Sequence, residues 1–255
     1  MNMTAILEKA AALPGKIGVY VLDTVTGEEG AYQADLPLQS ASVIKIPVMV
    51  EAFRRFASGE LDENEVVTIR PEHKKPSCGA LTYLHDGLQV TLLDLVTLMI
   101  IVSDNTATNL MIDRLGIDAI NATSESLGLT GTRVNRRLYE PELSRRGVQN
   151  YVSAADMGKV LQGLLKGEII SEEASLRMLN ILKDQRLNGK MPFFLHDKGI
   201  RCAHKTGEDD GITHDVGVIF AEHPVIFCFL SNETDVPLAE RALQDMAAMA
   251  AGVSI

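Results

Sequence analysis

The chain is poor in the features that mark disulfide scaffolds, nucleic-acid binders and membrane proteins. It has three cysteines in 255 residues. Cys78, Cys202 and Cys228 form an odd set with no C-x-x-C spacing, which argues against a zinc site and against a disulfide framework. Cys228 falls inside Val225-Ile226-Phe227-Cys228-Phe229-Leu230 and reads as a small buried hydrophobe. No Lys/Arg run exceeds a pair, the net charge is -10 and the pI is about 5.1. Neither nucleic acid nor an anionic membrane surface is therefore expected as a partner. The most apolar run, Leu95 to Val102, falls far short of the ~18 residues a membrane span needs. The first residues, Met1 to Lys9, lack a basic n-region and an apolar h-region. The expectation is a protein that stays in the cytoplasm, or an exported one whose chain begins at a trimmed mature end.

What remains is an ordinary globular composition, 46% hydrophobic and 23% charged, long enough for one large domain with two lobes. Residues 4–13 read as a short helix ended by Pro14-Gly15. Lys16 to Asp23 alternates as a strand with Ile17, Val19 and Val21 on one side, and a return strand begins at Ala31 after the turn at Thr26-Gly27-Glu28. A helix starts near Ser42 and stops at Ser58-Gly59, with Pro47 in conflict early in it. Residues 62–89 are loop-rich. Thr91-Leu92-Leu93-Asp94 is a capping-box pattern opening an apolar helix that stops at Ser103-Asp104-Asn105. Further helices are expected from about Thr106 to Gly116 and from Asp118 towards Gly128. Gly131 to Gln149 has no helical period and reads as a long structured loop; Ser153 and Ser171 then cap two more helices.

The last quarter changes character. Arg201 to Gly207, Val216 to Ala221 and Val225 to Ser231 are candidate strands, and Pro237 to Ala250 a terminal helix. Strands come from both ends of the chain and helices fill the middle. The expected architecture is an α/β fold, with an antiparallel sheet built from both chain ends, flanked by helices, and an inserted all-helical lobe. The chain is expected to form a single domain, with a sheet lobe at about 1–40 and 196–255 and a helical lobe at about 41–195.

Three short elements carry the chemistry. In Ser40-Ala41-Ser42-Val43-Ile44-Lys45 a hydroxyl and an amine lie three residues apart and share a helix face. A serine hydroxyl becomes a nucleophile when a nearby base takes its proton. A lysine serves as that base when burial or a positive neighbour lowers its pKa. Alone the pattern is weak, since S-x-x-K arises about once per chain of this length by chance, and a serine N-cap with a solvated lysine fits it equally. Ser103-Asp104-Asn105 follows 58 positions after Lys45, and Lys205-Thr206-Gly207 closes the series. The two tripeptides together arise by chance in roughly one chain in a few hundred.

This ordered set resembles that of class A β-lactamases and penicillin-binding proteins, and the resemblance covers nearly the whole chain. It includes Tyr139-Glu140-Pro141-Glu142-Leu143, similar to the family's omega-loop stretch. The resemblance implies that Ser42 is the acylated nucleophile, Lys45 its base or proton relay, and Ser103 the donor to the leaving nitrogen. It implies that Asn105 holds the substrate amide and that Glu140 activates the deacylating water. Lys205 and Thr206, beside Gly207, would bind the substrate carboxylate, and the backbone N–H groups of Ser42 and Glu208 would form the oxyanion hole. The family's carboxylate-binding arginine falls on His214, so KM for a carboxylate substrate is expected to rise as pH climbs through a histidine pKa of ~6.5. No metal or cofactor is implied. The partner is a small-molecule substrate, a β-lactam or a D-alanyl peptide, and a monomer is expected.

This sequence departs from the family pattern at several places. Ser144 stands where asparagine is usual, Leu138 where an arginine is usual, and the loop after Leu143 is a few residues shorter. Glu208, Asp209 and Asp210 add negative charge beside the pocket. Pro76-Ser77-Cys78-Gly79-Ala80-Leu81 is closer to the gate loop of D-alanyl carboxypeptidase or esterase relatives. The first expectation is a β-lactam hydrolase; a slowly deacylating D-alanyl-D-alanine peptidase or esterase, and a non-catalytic binding relative, are the alternatives. His85, His204 and His223 have no ligand-like spacing and read as structural or solvent-facing.

Overall fold

The computed structural model describes residues 1–254. In chain order the helices are α1 (Met3–Ala11), α2 (Lys45–Ser58), α3 (Leu92–Ile101), α4 (Asn105–Leu115), α5 (Ile117–Ser126), α6 (Pro141–Arg145), α7 (Ala154–Lys166), α8 (Glu172–Lys183) and α9 (Val236–Ala250). The strands are β1 (Lys16–Asp23), β2 (Glu29–Tyr32), β3 (Leu38–Gln39), β4 (Val66–Thr68), β5 (Gln89–Thr91), β6 (Tyr151–Val152), β7 (Arg201–Asp209), β8 (Ile212–Phe220) and β9 (Pro224–Asn232).

Five strands form one antiparallel sheet in the order β2-β1-β9-β8-β7. β1 pairs with β9 along its full length, from Lys16↔Asn232 to Asp23↔Val225. Side chains alternate across a strand, and here both faces are covered. Ile17, Val19 and Val21, with Phe227 and Phe229 of β9, pack under α1 and α9. Leu22, Ile226, Cys228 and Leu230 point the other way, into the core shared with α2 and α7. This is the antiparallel sheet from both chain ends, with flanking and inserted helices, that the sequence pattern implies. Cys228 is fully buried. No helix among the described residues is long and apolar enough to cross a membrane.

Local chemistry explains the helix boundaries. Thr91 Oγ1 accepts from Asp94 N at 3.0 Å while Asp94 Oδ2 accepts from Thr91 N at 2.8 Å. A cap of this kind stabilises a helix by about 1 kcal/mol. Gly59 closes α2 in the left-handed conformation. The α2 region differs from the expected single helix. Ala41–Ile44 is a 3-10 turn, and α2 proper begins at Lys45. Pro47 thus falls in the first helical turn, where backbone N–H groups have no partner within the helix, and its conflict disappears. The structure adds α6 and the two-stranded pairs β3–β6 and β4–β5 to the elements expected from the sequence. Elements of two to five residues are too short to show a period.

Candidate active site

The site begins with the 3-10 turn. In that geometry positions i and i+3 eclipse, so the turn sets Ser42 and Lys45 on one side more directly than an α-helix does. The turn packs against β7 at Gly207. A Cβ there would lie 2.9 Å from His214 Cδ2, 3.2 Å from Val43 Cγ2 and 3.3 Å from Ala41 Cβ. Only glycine lets the Ser42 turn approach the strand this closely.

The α3–α4 connection delivers the second group. Asp104 caps α4, accepting from Ala107 N at 2.9 Å through Oδ1. Its Oδ2 accepts from Ala80 N at 2.7 Å and Leu81 N at 2.8 Å, clamping the loop that carries Ser77 and Cys78. Gly79 in that loop has φ of +120° and lies against the Asp104 carboxylate. The cap turns Ser103 into a left-handed conformation, φ 55°, and buries it. Ala41, Ser77 and Tyr139, at the rim of the same cleft, also have positive φ. Unfavourable backbone conformations on non-glycine residues persist where the surroundings enforce them, and they concentrate at functional sites.

Four of the sequence-selected residues meet in one hydrogen-bonded cluster. Lys45 Nζ donates to Ser103 O at 2.8 Å, Ser103 Oγ at 2.9 Å and Asn105 Oδ1 at 2.9 Å. Lys205 Nζ donates to Ser103 Oγ at 3.1 Å and to Thr206 O at 2.7 Å. Ser103 Oγ thus bridges two lysines that are both fully buried. Burial, reinforced by the Lys205 charge, pushes the Lys45 amine well below its ordinary pKa. Burial also lowers Lys205 to about 7, against the opposing pull of Asp215. Thr206 is buried beside it.

In front of the cluster lies a cleft of about 800 Å³, lined by Ser42, Asn105, Glu140, Ser144, Glu208 and Asp210 among others. The 131–149 loop forms one wall, and buried amides pin it. Asn109 Nδ2 donates to Leu138 O and Asn109 Oδ1 accepts from Leu138 N, both at 2.8 Å. Asn150 Oδ1 accepts from Asn135 N at 2.8 Å and Arg136 N at 3.0 Å. Glu140 faces this cleft, yet its carboxylate accepts from Arg137 N at 3.0 Å and Arg137 Nε at 3.1 Å. It makes no hydrogen bond to Ser42 or Lys45. Ser144 Oγ accepts from Gln149 Nε2 at 2.9 Å.

His214 is not where a substrate-binding cation must be. The ring is fully buried behind Gly207. Nε2 donates to Gln39 O at 2.9 Å and Nδ1 accepts from Ser231 N at 3.0 Å. These bonds require the neutral ring, and burial lowers its pKa to about 4. A ring so placed cannot be the titrating cation that controls KM. Two ion pairs escaped the sequence reading altogether: Lys190 with Glu208 at 3.1 Å, and Arg137 with Glu140. Lys190 and Glu208 are far apart in sequence, and Arg137 and Glu140, although three apart, lie in a loop without helical period.

A family model described as the β-lactamase enzyme family matches residues 2–252. The chain belongs to that family. As a member of the β-lactamase family it is a serine β-lactamase-like hydrolase. The chain is 27% identical to β-lactamase 3 of Bacillus cereus over 224 residues, 85% of this chain and 69% of the relative. The crystal structure of a β-lactamase from Sphaerobacter thermophilus superposes with a TM-score of 0.88 at 31% identity, covering 99% of this chain and 98% of that one. A mutant of PBP-A, solved as its acyl-enzyme complex with penicillin G, superposes with a TM-score of 0.87 at 27% identity, covering 98% and 94%.

Proposed function

We propose that this chain hydrolyses β-lactams through an acyl-enzyme on Ser42. The observation that carries the reading is the Ser103 hydroxyl bridging Lys45 and Lys205. In its neutral form Lys45 keeps two of its three donations, and the freed lone pair takes the Ser42 proton as Oγ attacks the lactam carbonyl carbon. The oxyanion accepts hydrogen bonds from the N–H groups of Ser42 and Glu208. As the ring C–N bond breaks, Ser103 gives its proton to the nitrogen and regains one from Lys45. Asn105 holds the substrate amide, and Lys205, Thr206 and Gly207 form the strand edge along which the substrate carboxylate lies. The PBP-A mutant supports the same pocket type as a host for acyl-penicillin.

Glu140 is the proposed base for the deacylating water. A specific observation favours a second reading, a D-alanyl peptidase or esterase that deacylates slowly: Arg137 holds the Glu140 carboxylate. Labelled penicillin tests both. Ser42→Ala should form no adduct. Wild type should turn over, and Glu140→Gln should give a burst and then a trapped Ser42 adduct, with turnover roughly 10²–10⁴-fold slower. A wild type that itself traps the adduct selects the peptidase reading. Unchanged turnover in Glu140→Gln makes Glu140 an ordinary loop carboxylate, and no wild-type adduct leaves a binding relative.

A further inference from the structure

Lys190 lies on the connection between α8 and β7 and is 3% exposed. A lysine carries large rotamer entropy and strong hydration, so such burial requires defined partners. Its Nζ donates to Gly207 O at 3.1 Å and contacts Glu208 Oε1 at 3.1 Å, with Glu240 Oε2 at 4.0 Å. The carbonyl it grips belongs to the peptide unit whose N–H is that of Glu208. The β8 register gives the direction of that N–H. Thr213 stands opposite Glu208. Both main-chain groups of Thr213 face β9 instead: its N–H donates to Ser231 Oγ at 3.3 Å, and its C=O accepts from Ser231 Oγ at 2.7 Å. Main-chain groups alternate in direction along a strand. Glu208 therefore turns its N–H off the free edge of β7, towards the cleft that it lines.

We propose that Lys190 is a positioning residue for the oxyanion hole: through the Gly207 carbonyl it fixes and polarises the Gly207–Glu208 peptide, strengthening the Glu208 N–H as a donor. The inference rests on the Ser42 acyl-enzyme reading. In a trans peptide the C=O and N–H point in opposite directions and share one resonance system. An ammonium on the oxygen withdraws density from the nitrogen, and hydrogen bonds in such a chain reinforce one another. Donors fixed before the charge develops are the ones that stabilise it. Lys190 is not a free counter-ion for a substrate carboxylate, because Glu208 and Glu240 already flank it and leave the three groups with a net charge of -1.

The test compares a chromogenic cephalosporin carrying its free carboxylate with the methyl ester of the same compound. Pre-steady-state acylation of Ser42 is measured for wild type, Lys190→Met and Lys190→Arg, with folding checked by circular dichroism. Lys190→Met should acylate about 10–100-fold more slowly on both substrates alike, with KM little changed, below the 10²–10³ expected for losing a whole oxyanion donor. Lys190→Arg, which keeps a cationic donor, should recover most of the rate. Should Lys190→Met fail to fold, Lys190→Gln takes its place with the same expectation. A loss confined to the carboxylate-bearing substrate, or no loss on either, overturns the proposal. Absence of any Ser42 adduct in wild type overturns the acyl-enzyme reading itself and is seen before any variant is made.

Discussion

Replacing Lys205 with methionine should stabilise the protein while disabling it. Lys205 is fully buried and its pKa is lowered from 10.5 to about 7. An unfolded chain returns that amine to its ordinary value. Between pH 7 and 10.5 the unfolded state therefore binds more protons than the folded one. Stability from this group rises with pH across that window and is lost as pH falls towards 7; below about 7 both states are protonated and it changes no further. Integrating the proton difference from pH 7 to 9 gives about 2 kcal/mol, or roughly 5–9 °C in Tm for a chain of this size. At pH 7 the lysine costs about 4 kcal/mol by the same linkage. Its bonds to Ser103 Oγ and Thr206 O return about 1 kcal/mol each. Lys205→Met should gain about 2 kcal/mol at pH 7 and lose β-lactam acylation. The assay is thermal melting by circular dichroism at pH 7, 8 and 9, since the chain has no tryptophan. Lys45, also lowered by burial, adds a rise of the same sign in both proteins. The informative quantity is thus the difference in slope. Equal pH slopes in wild type and variant would refute the reasoning.

Two further buried residues, Glu51 and His214, give testable outcomes. Glu51 is fully buried and accepts from Arg54 Nε at 2.7 Å, Arg55 Nε at 2.6 Å and Thr123 Oγ1 at 2.7 Å. Glu51→Gln should cost about 3 kcal/mol in urea unfolding, with kcat little changed in the folded fraction. His214→Arg should destabilise by roughly 2–4 kcal/mol, because the larger cation has no room and the bonds to Gln39 and Ser231 are lost. Any transition in KM for a carboxylate substrate near pH 7 should belong to Lys205 and survive His214→Phe; one abolished by His214→Phe would restore histidine to the substrate site.

The sequence carried the fold well where chemistry is local. Thr91 and Asp94 announce a helix start, Gly59 a helix stop, and Ile17, Val19 and Val21 a strand face, because each signal acts within a few residues. The proximity of Lys45, Ser103, Asn105 and Lys205 was legible only as three motifs in order, since no local rule brings position 45 to position 205. His214 shows the limit of positional correspondence. The strand position could be matched from sequence, but the burial that lowers the ring's pKa, and the carbonyl of Gln39 and the N–H of Ser231 that hold it, come from elsewhere in the chain. The grip of Arg137 on Glu140, and of Lys190 on Gly207, likewise depends on how loops without periodicity are folded back.

The pairing of β1 with β9 has a consequence during synthesis. Asp23 meets Val225 and Lys16 meets Asn232, so the partner of β1 leaves the ribosome some 200 residues after β1 does. At ordinary translation rates that interval is roughly 10–40 s. Throughout it β1 can pair only with the short β2; its other main-chain edge stays open, and the face carrying Ile17, Val19 and Val21 lacks the cover of α9. An unpaired apolar strand edge is a template for foreign strands. α1, which is made before β1, is the element of the native fold at hand to cover that face until the last strand arrives to close the sheet.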